Sequence, residues 1–185
     1  MSNEVLSDRR KALEEQFFQK QDEALRERLR SEREGAERKQ ALASASGIHD
    51  DAVLEAIVAS DIGPDTLAAL GVVPLVAVAW ADGRVERRER EAVLRAAAEA
   101  GLDPEDPSYA LLESWLEQRP DAELLDAWRD YAAALPADVR ARLAPDLLAR
   151  ARAVAEAAGG FLGMGSKISG EEERVLESLS RSLAE

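Results

Sequence analysis

Three carboxylates crowd the stretch "WADGRVERRERE", Trp80 to Glu91: Asp82 in an Asp-Gly pair, followed by Glu86 and Glu89. If a helix starts near Glu86, then Glu86 and Glu89 lie three apart on one face of its first turn, with Asp82 in the loop just before. Side-chain carboxylates with loop carbonyls suit a hard divalent cation, calcium or magnesium, and not zinc. The alternating ligands of an EF-hand are missing. The same residues also have a purely architectural reading, in which Asp82-Gly83 makes the turn while Glu86 and Glu89 complement the positive end of the helix dipole.

Other chemistry is poorly supplied. The chain has no cysteine, which removes disulfides, thiolate nucleophiles and zinc-cysteine sites. Its single histidine, His49, stands beside Asp50 and Asp51 with no second imidazole to share a metal, and reads as a surface or capping residue. No G-x-S-x-G elbow is present. The glycines of "GGFLGMGSK", Gly159 to Lys167, miss the phosphate-loop spacing because Ser166 intervenes before the lysine. The expectation is a protein that is not an enzyme.

Charge narrows the partners. Residues 1–46 balance 10 Lys+Arg against 10 Asp+Glu, whereas residues 47–185 carry 14 against 27, so the whole excess of acid lies in the second part. Such a body repels phosphate backbones, which argues against nucleic acid and for basic proteins or cations. The longest uncharged stretch, Thr66 to Ala81, is interrupted by Gly71 and Pro74 and is too short to span a bilayer. With no secretory signal at the N-terminus, a cytoplasmic location is expected.

The elements that must hold these residues are helices. Ala, Leu, Glu and Arg dominate, aromatics are 4%, and β-branched residues are nearly all isolated, so the expected class is all-α: a compact multi-helix bundle at 47–185 with an extended helical arm at 1–46. The arm reads as one helix from Ser7, as N-cap, to about residue 44. Its apolar residues include Leu13, Phe17, Phe18 and Leu25, which could dock on a partner or on a second copy of the chain. Beyond it, "VVPLVAVAW" reads as a buried central helix, Gly101 as the stop of the helix after Asp82, and Pro145 as a restart point. Trp80, Trp115, Trp128, Tyr109 and Tyr131 fall on apolar faces as core residues.

An internal repeat links the acidic loop to a later one. Arg84–Leu94 aligns without gaps on Lys167–Glu177, setting Val85 on Ile168, Glu89 on Glu172 and Val93 on Leu176, while Asp82 falls on Gly165. Two related halves with facing loops are expected, with Val85 and Ile168 as a short bridge. The segment "VAVAWADGRVERRE", Val76 to Glu89, resembles the A-D-G-x-[VI]-x-x-x-E signature of the tellurite-resistance TerB-like family, and "GGFLGMGSKISGEEERVL" resembles that family's second loop, the likeness covering roughly residues 50–183. It implies a stress-response helical module that works with partner proteins, membrane-associated ones among them, and binds a metal ion through loop acids. By position these are Asp82, Glu86 and Glu89 in the first loop and Glu171 and Glu172 in the second. The arm is faintly similar, in charge pattern, to inhibitory helices of ATP synthase regulators. This suggests an alternative in which the arm recruits a partner, or forms an oligomer, and no metal is involved.

Overall fold

The computed structural model describes residues 2–158 and 168–184, with side chains described from residue 20 onward except at Asp22 and Ala158. The described residues form eight α-helices and one 3₁₀ helix, with no strand, so the protein is all-α. By contact the chain divides into two units, residues 1–40 and 41–185.

The described residues of the first unit all belong to α1, Ser2–Ser46. The helix is already formed at Ser2, so Ser7 is interior and not the expected N-cap; Ser2–Leu6 contains no Gly or Pro to break it. Pairs such as Arg28–Glu32 at 2.9 Å and Arg33–Glu37 at 3.6 Å run along its exposed surface. Pairs of this kind add only about 0.3–0.5 kcal/mol each. Leu25 and Leu29 are 55% and 56% exposed. Leu13, Phe17 and Phe18 lie outside the described side chains.

In the second unit the last turn of α1 is core. Leu42 is fully buried, Gly47 at φ +72° ends the helix by donating from its N–H to the Ala43 carbonyl, and Ile48 is buried just beyond. Asp50 then caps α2 (Asp51–Ala59), its carboxylate accepting from the N–H groups of Ala52 and Val53 at 3.0 and 3.2 Å, while neighbouring His49 is exposed. "PDTLAALGV", Pro64–Val72, is a 3₁₀ helix that leads directly into α3, Val73–Ala79.

Helix α3 is the axis of the bundle. Six of its seven residues, Val73, Pro74, Leu75, Val76, Val78 and Ala79, are buried, because a helix apolar on every face must be covered on every face. It is covered by α4 (Arg87–Glu99), α5 (Pro107–Glu117), α6 (Ala122–Ala134), α7 (Ala137–Ala158) and α8 (Gly170–Ala184). Gly101, at φ +92°, follows the α4 C-cap, as its position after an alanine-rich run predicts. The expected restart at Pro145 does not occur: α7 runs through it unbroken. A proline forfeits one backbone bond, and packing of α7 against α3, α4 and α8 holds the helix together regardless.

Trp115 and Trp128 are buried, and Trp80, Tyr109 and Tyr131 pack half-buried against the core. The indole N–H of Trp80 donates to the Trp115 carbonyl at 2.7 Å, tying the end of α3 to the end of α5. Among the described residues no single helix is long and apolar enough to cross a membrane.

Candidate functional site

The acidic loop begins where α3 runs out. Ala81 donates to the Val78 carbonyl and Gly83 to the Trp80 carbonyl, both at 3.0 Å, and Gly83 takes φ +93°, a conformation that favours glycine. Asp82 Oδ1 accepts the Arg84 N–H at 3.1 Å, closing an Asx turn. Asp82-Gly83 is therefore a turn in its own right.

Helix α4 then starts with Glu86 as its N-cap residue, and Glu89, three positions on, reaches back so that its Oε2 accepts the Glu86 N–H at 2.7 Å. The start of α8 shares this half of the cap and completes it: Glu172 Oε2 accepts the Ser169 N–H at 2.5 Å, and Ser169 Oγ accepts the Glu172 N–H at 3.2 Å. These are the positions that the repeat pairs, Glu86 with Ser169 and Glu89 with Glu172. The internal symmetry is thus one of capping geometry. No β-bridge is assigned at Val85 or Ile168, which instead pack half-buried against the core.

Both cap glutamates are sealed in, Glu89 at 2% exposure and Glu172 at 4%. The Glu89 carboxyl is pushed up to about 7, first by burial and then by the negative charges of Asp82, Glu172 and Glu86, against the pull of the Glu86 N–H. The negative charge of Glu172 thus bears on Glu89 from the second loop, together with those of Asp82 and Glu86 from the first. Glu171, the other acid of the second loop, is exposed and pairs with Arg174 at 3.2 Å. Residues 159–167, which include Gly165 opposite Asp82 in the repeat, lie outside the described residues.

Arg84 supplies the positive charge at this site. Its guanidinium reaches Glu86 Oε1 at 3.0 Å and Asp82 Oδ2 at 3.7 Å. Among the described residues no three acidic or histidine side chains form a ready-made metal cage. The donor set is nonetheless one that a hard cation accepts, all carboxylate oxygen, and the group standing in the way is mobile in principle: the Arg84 side chain is 74% exposed. Releasing an exposed pair of this kind costs about 0–1 kcal/mol. Sequence reasoning missed Arg84, although a basic residue two positions after one acid and two before another is a visible signal.

The chain matches no protein-family model, no curated protein and no solved structure.

Proposed function

We propose that the protein is a non-enzymatic helical interaction module of the TerB-like kind, whose two capped loops form one acidic site that takes a divalent cation in exchange for the Arg84 guanidinium. The observation that carries this reading is the pair of buried glutamates, Glu89 and Glu172, each accepting the backbone N–H three residues earlier at the start of its helix. Burying two carboxylates, one of which feels the charge of the other, is costly for a fold that needs only helix caps. A cation shared between the loops offsets that cost and explains why both positions are acidic. Calcium or magnesium is the fitting ion because every available donor is oxygen.

Calorimetric titration of the full chain with calcium and with magnesium tests the proposal. Saturable heat from wild type that disappears in Asp82→Ala is expected, since Asp82 is a solvent-facing acid of the first loop. No heat from wild type would overturn the cation.

A second reading, a structural adaptor working through its arm, is favoured by one observation: Leu25 and Leu29 are more than half exposed on the helix surface. A chain lacking residues 1–40 separates the two. The cation module predicts unchanged calcium and magnesium titrations in that truncated chain, and the adaptor predicts loss of partner capture.

A further inference from the structure

A different part of the bundle carries features that neither caps nor core require. Between α3, α6, α7 and α8 lies a cavity of about 280 Å³ walled by Leu75, Trp128 and Leu147, with Leu143, 51% exposed, at its edge. Two arginines, Arg140 and Arg150, line it as well. In a bundle where acids outnumber bases 27 to 14 over residues 47–185, two guanidiniums on one apolar cavity are conspicuous.

Their bonding differs. Arg150 is committed, pairing with Asp146 at 2.9 Å and donating to the Ala96 carbonyl at 3.1 Å. Arg140 uses Nη1 alone, donating to the Ala132 and Ala133 carbonyls at 3.2 and 3.1 Å. It has no carboxylate partner among the described residues, so one positive charge at the cavity is uncompensated. Tyr131 lines the same cavity, and among the described residues its hydroxyl has no hydrogen-bond partner. Burial raises the Tyr131 pKa, keeping the hydroxyl protonated as a donor.

We propose that this cavity binds a small amphipathic monocarboxylate, its acyl tail against Leu75, Trp128 and Leu147 and its carboxylate at Arg140 and Tyr131. One guanidinium without a carboxylate partner among the described residues, whose Nη2 and Nε have no hydrogen bond in the same set, and one phenol match a single negative charge. A doubly charged phosphate would meet Asp146 and the acidic body without a second free cation. The volume lies just below the range of about 300–1,000 Å³ typical of small-molecule pockets, which suits one short chain and not a helix or a folded partner. Capping α6 accounts for Arg140 Nη1 but not for the apolar space beside it.

Octanoate, octanol and octylamine titrated into the full chain, followed by calorimetry and tryptophan fluorescence, test this directly. Octanoate should saturate, and octanol and octylamine should bind at least about tenfold more weakly, the value of one charge-assisted hydrogen bond. Arg140→Gln should weaken octanoate by about tenfold and leave octanol unchanged. Because Arg140 also caps α6, Tyr131→Phe serves as a variant that keeps the cap; it should weaken octanoate about threefold or more. A Cβ at Gly71, on the cavity wall, would meet nothing within 4 Å, so a side chain can start there, and Gly71→Leu, checked for an unchanged circular dichroism spectrum, should weaken both octanoate and octanol. Equal binding of octanoate and octanol, no saturation by either at millimolar concentration, or undiminished octanoate binding in both Arg140→Gln and Tyr131→Phe would each overturn the proposal.

Discussion

Replacing Glu89 by Gln isolates the cost of burying its charge. The amide keeps an oxygen to accept the Glu86 N–H and nearly the same volume, so the cap survives and only the ionisation is lost. In the folded chain the Glu89 carboxyl sits at about 7 against 4.5 for an unperturbed glutamate. Between those values the folded state holds a proton that the unfolded chain has released. Stability therefore falls as pH rises through this window and levels off above it. The full shift corresponds to roughly 3 kcal/mol at about 1.4 kcal/mol per unit. Solvent reaches the site from the Asp82 and Glu86 side, where the side chains are 39% and 42% exposed, and screening reduces the figure to about 2 kcal/mol. Urea unfolding followed by circular dichroism from pH 5 to 8.5, without divalent cations, reads this out. The two proteins should be close in stability at pH 5, and Glu89→Gln should be more stable by about 2 kcal/mol at pH 8. In thermal melts this is about 4–8 °C for a bundle of this size. Curves that stay parallel across the whole range would refute the reasoning, because a surface glutamate has no such window.

Removing residues 1–40 should leave the melting temperature of the bundle within a few degrees, while removing 1–46 takes away fully buried Leu42 and should cost about 2–5 kcal/mol. Comparing the two truncations by thermal denaturation checks where the bundle begins. Trp80→Phe keeps the ring against the core but loses the 2.7 Å bond to the Trp115 carbonyl, and should destabilise by about 1–2 kcal/mol in chemical denaturation. Gly83→Ala forces a side chain into φ +93° and should cost about 1 kcal/mol or more without altering helix content.

Much of the helical layout was legible before any coordinates. Asp50, Pro107 and Gly101 mark helix ends through local chemistry that neighbours do not alter, and the apolar run from Val72 to Trp80, a buried strand or a buried helix by pattern alone, reads as an interior helix because no second strand is there to pair with it. Local rules failed where tertiary packing decides. Pro145 reads as a break, yet α7 is held on several sides and continues. Pairing Glu89 with Glu172 was visible as a repeat, but their burial was not: a glutamate at the third position of a helix is ordinarily exposed, and only the covering of both first turns seals these two. Arg84 as counter-charge is not legible from the loop's acids alone, because only the folded turn brings its guanidinium to Asp82 and Glu86. Tyr131 and Trp128 were read correctly as packed aromatics, but a cavity between four helices leaves no trace in the periodicity of any one of them.

The claim on which the rest depends is that two loops far apart in sequence form a single acidic site. Carbon-13 NMR of the Glu89 side-chain carboxyl, titrated over pH 4 to 9, addresses it in one experiment. The account predicts a midpoint near 7 in the wild-type chain, lower in Glu172→Gln, and lower again when calcium is added to wild type. An ordinary glutamate midpoint, or one that neither the substitution nor calcium moves, would contradict it.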